Sequence, residues 1–126
     1  MVYSRDVAGA LRFYVDLLGL KLLQLEQYGE RAVYARLKSA RGNSTIALHL
    51  LEPGKEFHPG AIRLYFEVPG LKKFCKRLEK NGVVLSQQPK KMPWGWTHAY
   101  LNDPDGHEVS VYSAGSKRLK KTKARK

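Results

Sequence analysis

The stretch that decides the fold is YLNDPDGHEVSVY, residues 100–112. Apolar and polar residues alternate up to Leu101, the segment DPDG follows at 103–106, and a second alternation runs from Val109 to Tyr112. Two alternating segments around a loop rich in Pro, Asp and Gly are typical of a β-hairpin. Ser110 and Tyr112 then share one face of the outgoing strand. The question is whether that face is the wall of a binding site.

Two amphipathic helices are predicted from apolar residues that recur every three or four positions. The first follows Asp6, a residue type that caps helices, and stops at Gly19; the second ends at Asn81-Gly82. The two stripes superpose at an offset of 61 residues: Ala10, Phe13, Tyr14 and Leu17 against Leu71, Phe74, Cys75 and Leu78. The chain therefore contains an internal repeat.

Each repeat is predicted to be strand, helix and three further strands. Strand-like segments are Leu20–Gln27, Arg31–Leu37, Thr45–Leu51, Ala61–Val68, Val83–Gln88, Trp96–Leu101 and His107–Ser113. We predict an α+β fold of two βαβββ modules, 1–52 and 61–113, joined by a connector at 53–60 into a single domain of 1–113. Each helix covers one face of its sheet, so the other faces of the mostly antiparallel sheets are free to curl around a cup.

The net charge of +12 is concentrated at the end of the chain. Residues 117–126 hold seven basic residues and no acidic one; without them 16 basic and 11 acidic residues remain, a net charge of +5. We predict that residues 114–126 form a basic, disordered tail. The alternative is that this tail contacts nucleic acid or anionic lipid non-specifically.

The remaining composition is that of an ordinary globular domain, with 43% hydrophobic and 27% charged residues. No apolar run approaches the roughly 18 residues that a membrane helix needs, and the first residues lack the pattern of a signal peptide. Cys75 is the only cysteine, so an intrachain disulfide is excluded. The sequence favours a cytoplasmic protein with no membrane partner.

Three stretches together resemble the vicinal oxygen chelate superfamily, which includes glyoxalase I, bleomycin-resistance proteins, fosfomycin-resistance enzymes and extradiol dioxygenases. They are DVAGALRFYVDLLGLKLL at 6–23, LYFEVPGLKKFCKRLEKNGV at 64–83 and PWGWTHAYLNDPDGHEVSVY at 93–112. The resemblance covers the chain to about residue 113 and implies paired βαβββ modules, often assembled as a homodimer. It does not imply one reaction, because this fold carries many.

Enzymes of this superfamily hold a divalent metal with His and Glu side chains at four strand positions. By the resemblance, the first position falls before Met1, the second is near His49, and the other two are Arg63 and Ser110. Arginine has no lone pair for a metal, and serine is a poor ligand compared with a carboxylate; Glu108 shares the parity of Ser110 but is a weak substitute. We therefore predict no metal cofactor, with a divalent metal involving His49 as the alternative.

The cup-facing residues are predicted from alternation along the strands. They are Arg63, Tyr65, His98, Tyr100, Ser110 and Tyr112 from the second module, Tyr3 and His49 from the first, and Trp94 and Trp96 at the rim as a possible gate. This set suits a planar or aromatic ligand that carries a carboxylate, phosphate or phenolate. Other interpretations stay open: the tryptophans pack the hairpin, His49 is a satisfied core or interface histidine, and Arg63 pairs with Glu67.

No catalytic constellation emerges from the sequence, so we predict no catalytic residues and leave open whether the protein is an enzyme. The favoured hypothesis is a glyoxalase/bleomycin-resistance-like protein that binds a small anionic or aromatic molecule without the usual metal. The alternative is a metal-dependent lyase, isomerase or dioxygenase with atypical ligands. A nucleic-acid-associated protein that works through its tail is the third hypothesis.

Overall fold

The computed structural model describes residues 1–40 and 42–114. The predicted basic tail lies outside the described residues, apart from Ala114. The chain divides into two compact units: unit 1 is Met1–Ala61 with Asp103–His107, and unit 2 is Ile62–Asn102 with the chain from Glu108. The division differs from the predicted modules, because the connector 53–60, Ala61 and the hairpin loop at 103–107 all belong to unit 1. That 1–113 forms a single domain stays a prediction.

Unit 1 is a four-stranded sheet with one helix. Its elements are β1 Val2–Ser4, α1 Val7–Leu11 continuing as a π-helical segment Arg12–Leu17, β2 Lys21–Tyr28, β3 Arg31–Lys38 and β4 Thr45–Leu50. The strand order is β1-β4-β3-β2, in which β1 runs parallel to β4 and the other pairs are antiparallel. The parallel pair follows from the helix that separates β1 from the hairpins.

Helix α1 begins as the sequence predicts, because the Asp6 side chain accepts a hydrogen bond from the backbone N–H of Gly9 at 3.1 Å. Ala10, Phe13 and Tyr14 of the predicted stripe are buried, whereas Leu17 is half-buried and its neighbour Leu18 is buried. The second half differs from the prediction: Leu18 N–H donates to Phe13 C=O, one residue further back than in an α-helix. The wider turn still leaves Tyr14 fully buried.

The DPDG loop is tied to unit 1 by its two buried carboxylates. Asp103 accepts the Tyr14 hydroxyl at 2.7 Å and the backbone N–H groups of Asp105 and His107 at 2.9 Å each. Asp105 accepts the Ser4 hydroxyl at 2.5 Å and the Arg5 N–H at 2.9 Å. The loop is therefore held to β1 and to the helix by these hydrogen bonds.

Unit 2 repeats the same plan. Its elements are β5 Arg63–Glu67, α2 Leu71–Lys80, β6 Leu85–Lys91, β7 Thr97–Asn102 and β8 Glu108–Ser113. The strand order is β5-β8-β7-β6, with β5 parallel to β8 and the remaining pairs antiparallel. The buried side of α2, formed by Leu71, Cys75 and Leu78, belongs to a core that includes Val109 and Val111 of β8.

The predicted α+β fold of two βαβββ modules is confirmed, since both sheets have the same order and the same mixture of one parallel and two antiparallel pairs. Three strand boundaries differ by two residues or more. Strand β5 begins at Arg63 rather than Ala61, and β6 begins at Leu85 rather than Val83 and continues through Pro89 to Lys91 rather than ending at Gln88. Proline is tolerated in β6 because it is the edge strand of its sheet. Among the described residues, no helix has the length and apolar character needed to cross a membrane.

Candidate ligand-binding site

One face of the unit 2 sheet collects most of the predicted site residues. The register places Tyr65 opposite Ser110 and Ser110 opposite Tyr100, while Tyr112 lies opposite His98. Residues in register, and residues two apart on one strand, share a face. The alternate residues Val109 and Val111 are buried with α2. The site therefore lies on the face of this sheet that α2 does not cover.

Six rings form a continuous cluster on this face. Trp96 and Tyr112 stack with ring centroids 5.3 Å apart and planes within 5°, and His98 stacks on Tyr112 at 5.2 Å and 19°. Trp94 and Tyr65 meet His98 edge-on at 5.5 and 6.1 Å. The remaining ring, Tyr100, lies 6.0 Å from His98. Stacked and edge-on arrangements at these distances are the favourable geometries for aromatic pairs.

The cluster remains accessible to a ligand within unit 2. Tyr65 and Trp94 are 54% and 45% exposed, although large aromatic side chains usually bury most of their surface. Trp94 and Trp96 flank Gly95, which holds a turn with φ +96 that is closed by the hydrogen bond from Gly95 N–H to Met92 C=O at 2.8 Å. Trp96 stacks within the cluster, whereas Trp94 is the more exposed of the two tryptophans that were expected at the rim.

His98 lies at the centre of the cluster and is only 3% exposed. Its Nδ1 is 2.8 Å from the Ser110 hydroxyl, which is fully buried. Burial lowers the pKa of the imidazole, and the nearby Arg63 guanidinium lowers it further. His98 is therefore neutral at neutral pH, with one ring nitrogen protonated and the other not. Within the described part of the chain, its Nε2 is buried and has no hydrogen-bond partner.

Arg63 lies at the end of the same face, as the first residue of β5. Its Nε and Nη2 are each 2.7 Å from Oε2 of Glu108, the residue opposite it in the β5–β8 register, and its side chain is 38% exposed. The guanidinium also covers the Tyr100 ring at 4.7 Å. The hydrogen bond to Glu108, followed by one to Tyr65, raises the arginine pKa. Glu108 is thus a carboxylate partner of Arg63, whereas the sequence interpretation had offered Glu67.

His49 lies in unit 1, on β4, between two tyrosines. Tyr3 and Tyr34 are its neighbours in register on β1 and β3, with ring centroids 5.7 and 6.4 Å away in edge-on geometry. Its Nδ1 lies 2.7 Å from the Leu50 carbonyl, which can only accept, so Nδ1 carries the proton. Nε2 is then the atom with a lone pair. His49 is half-buried rather than a core histidine.

The residues at the superfamily's metal positions do not fit a metal ion. Arg63 is protonated and paired with Glu108, and the Ser110 hydroxyl is engaged by His98. Of the described residues, no three His, Cys, Asp or Glu side chains are grouped so that they could hold a metal. His49 alone offers a suitable nitrogen.

Three contributors to these faces escaped the sequence interpretation. Glu108 was considered only as a substitute metal ligand, and Tyr34 and Gln87 were not considered. Gln87 pairs with Tyr100 across β6 and β7, and Tyr34 pairs with His49. The parity of Glu108 with Ser110 was a usable signal, but its pairing with Arg63 depends on the β5–β8 register. Cys75 is buried as expected, and burial raises its thiol pKa to about 11, which suits packing rather than reactivity.

Comparison with known proteins gives a consistent family. The family model of the Glyoxalase/Bleomycin resistance protein/Dioxygenase superfamily matches residues 1–111. A probable lactoylglutathione lyase from a Synechocystis species is 27% identical over 124 residues, covering 94% of this chain and 95% of that protein.

Solved structures agree with this fold. TnmS3, an antibiotic binding protein from a Streptomyces species, is 26% identical with a TM-score of 0.71, and 89% of each chain is covered. A member of the same superfamily from Sphaerobacter thermophilus is 24% identical with a TM-score of 0.72, covering 89% of this chain and 91% of that one. At that identity, the second similarity supports the fold alone.

Proposed function

The chain belongs to the Glyoxalase/Bleomycin resistance protein/Dioxygenase superfamily, and we propose that it binds a small aromatic molecule. The proposed site is the face of the unit 2 sheet that α2 does not cover, and it lacks the superfamily's usual metal centre. The six-ring cluster around His98 is the observation that carries this proposal. A flat ligand that covers Tyr65 and Trp94 gains stacking and removes apolar surface from water. The similarity to an antibiotic binding protein supports the same class of function.

Arg63 is the side chain on this face that bears on the charge of the ligand. Since Glu108 already compensates the guanidinium, the face does not require an anionic ligand. An anion remains compatible, because Arg63 is partly exposed beside Tyr100 and presents further N–H donors. The aromatic part of the predicted ligand is thus supported more strongly than the anionic part.

Ligand-observed NMR with naphthalene as a probe tests the proposal. We expect saturable binding that Tyr65→Ser weakens, because Tyr65 is an exposed ring of the cluster. The matched control is Tyr28→Ser, which removes an 85% exposed tyrosine from β2 of unit 1 and should leave binding unchanged. Equal effects of the two substitutions, or no binding by any aromatic probe, would reject the proposed site.

The metal part of the proposal has a separate test. We expect elemental analysis of the purified protein to find well below one Zn, Ni, Fe or Mn per chain, because the residues at the metal positions make other contacts. About one metal per chain that is lost on His49→Ala would contradict this expectation.

A metal-dependent lyase is the second candidate function. Two observations favour it: the Nε2 lone pair of His49 and the similarity to a probable lactoylglutathione lyase. Assay of lactoylglutathione lyase activity after addition of Zn²⁺ or Ni²⁺ separates the two candidates. Metal-dependent turnover that His49→Ala abolishes would establish this alternative.

We also propose that the protein forms a homodimer. Strand β2 is an edge strand, and all eight of its residues are exposed, including Leu22, Leu23 and Leu25. An edge strand that presents apolar side chains and unpaired backbone groups suits association with a second copy.

A further inference from the structure

We propose that the molecule bound on this face carries an oxygen acceptor attached to its flat ring, because two buried N–H groups within the cluster, on His98 and Trp96, have no acceptor in the described chain. This inference rests on the proposed function and specifies its ligand. A purely hydrocarbon ligand would leave both donors unsatisfied. A ring carbonyl or carboxylate oxygen would satisfy at least one of them.

The indole of Trp96 carries the first of the two unsatisfied donors. The indole Nε1 can only donate a hydrogen bond. It is buried, and no acceptor reaches it within the residues that the structure describes. A buried donor without a partner loses its hydrogen bonds to water and gains none in return, so such atoms are uncommon unless a ligand or water satisfies them. The near-parallel stack of Trp96 on Tyr112 fixes the indole in this position.

His98 is a donor only in one tautomer, and Ser110 selects that tautomer. The Ser110 hydroxyl is fully buried and lies within hydrogen-bond distance, 2.8 Å, of the Nδ1 atom of His98. If Nδ1 carried the proton, the serine hydrogen would have no acceptor among the described residues. When the serine donates to Nδ1 instead, Nε2 carries the proton, and this His–Ser pair keeps one unsatisfied hydrogen, on Nε2. Ser110 is thus a positioning residue that presents Nε2–H.

The two donors belong to neighbouring, nearly parallel rings. The centroids of Trp96 and His98 are 6.4 Å apart and their planes differ by 19°. A planar ligand beside these rings can direct an oxygen in its own plane towards them. Because neutral donors accept either a carbonyl or a carboxylate oxygen, the shared requirement is an acceptor conjugated to an aromatic ring.

Three probes test this requirement by ligand-observed NMR: naphthalene, 2-acetonaphthone and 2-naphthoate. We expect the wild-type protein to prefer 2-acetonaphthone to naphthalene by about fivefold, the value of one net hydrogen bond. Trp96→Phe keeps an aromatic ring but removes the N–H, so it should remove most of that preference. Trp94→Phe is the matched control, because the Trp94 indole is not among the buried unpartnered donors; it should weaken both probes alike. The carboxylate probe distinguishes an anionic acceptor from a neutral one.

The outcomes separate this inference from the proposed function. If naphthalene and 2-acetonaphthone bind equally and Trp96→Phe affects them equally, the site stands and the acceptor requirement is overturned. Nitrogen-15 NMR of the His98 side chain gives a readout without any ligand: we expect the proton on Nε2, and Ser110→Ala should redistribute it between the two nitrogens. A proton on Nδ1 in the wild-type protein overturns the inference even if no probe binds.

Discussion

The two loop carboxylates, Asp103 and Asp105, serve the backbone rather than a ligand. Each is about 95% buried, and together they accept hydrogen bonds from two hydroxyl groups and three backbone N–H groups. Charge-assisted hydrogen bonds of this kind offset the cost of burying a carboxylate. The Asp-Pro-Asp-Gly signature therefore identifies a folding element, and the chemistry of the site lies elsewhere, around His98.

We predict that Tyr14→Phe removes a pH dependence of stability. Burial, and then the neighbouring Asp103, raise the pKa of Tyr14 far above its ordinary value of 10.0. The folded state thus keeps this hydroxyl protonated, while the unfolded chain ionises it above about pH 10. The stabilising contribution is complete below that pH and falls as the pH rises above it.

Urea unfolding between pH 8 and pH 11 measures this effect. At pH 8 the variant should lose about 1.5–3 kcal/mol, because Asp103 loses a charged hydrogen bond. Above pH 10 the wild-type curve should fall more steeply than that of the variant, since all other tyrosines and lysines are common to both. Parallel curves over the whole range would contradict the prediction.

Substitutions of Arg63 and of Glu108 should have opposite effects on the affinity for an anionic probe. Glu108 occupies Nε and Nη2 of the guanidinium, so Glu108→Gln should strengthen binding of 2-naphthoate relative to naphthalene, and Arg63→Met should weaken it. The pair is partly exposed and screened by solvent, so each change should be about two- to fivefold. Equilibrium dialysis at low and high salt checks the signs, and both effects should shrink with salt. A preference that neither substitution changes would remove Arg63 from the site.

At the scale of elements, the sequence predicted the features that depend only on neighbouring residues, namely the strands and the start of the first helix. Period-two alternation located all seven strands that the sequence analysis assigned, and the Asp6 cap located the start of α1. The π-helical turn at Arg12–Leu17 was missed, because the apolar residues up to Leu17 have α-helical spacing, whereas the structure buries Leu18 and leaves Leu17 half-buried. The extension of β6 through Pro89 was also missed, because only the strand order shows that β6 is an edge, where a missing N–H is tolerated.

The two long edge strands differ in a way that predicts the dimer contact. Strand β6 carries Pro89, Lys90 and Lys91, which discourage pairing with another chain, whereas β2 has no such protection at its centre. We expect Leu23→Lys on β2 to convert a homodimer into a monomer, because Leu23 is 54% exposed and a lysine there would be buried at the interface.

Light scattering at micromolar concentration measures this change. The wild-type protein should have twice the 14.3 kDa chain mass and the Leu23→Lys variant a single chain mass. Val84→Lys, at an 86% exposed position just before β6, is the control and should remain dimeric. A wild-type monomer, or a dimer that Leu23→Lys leaves intact, would exclude association through β2.

At the scale of the whole molecule, the internal repeat predicted the fold and part of the candidate site. Alternation within each strand correctly placed Tyr65, His98, Tyr100 and Tyr112 on a shared face, because facing depends only on parity and strand pairing. Hydrogen-bond partners could not be predicted in this way. The Arg63–Glu108 pair depends on register, and the unpartnered nitrogens of His98 and Trp96 depend on atomic positions that no pattern specifies.

The positive charge of the whole chain is concentrated at its C-terminal end. Residues 117–126 carry seven of the 23 basic residues and no acidic one, and their removal lowers the net charge from +12 to +5. Because non-specific affinity for nucleic acid comes from neutralised phosphates, we expect the full chain to bind a labelled single-stranded oligonucleotide at low salt. The logarithm of the binding constant should fall with that of the salt concentration, with a slope of up to about 5 for seven contacts.

Deletion of 117–126 should abolish this binding in a fluorescence anisotropy titration and leave the affinity for naphthalene unchanged, since the ring cluster lies within residues 65–112. Salt-dependent binding that survives the deletion would instead assign the nucleic-acid contact to the folded units.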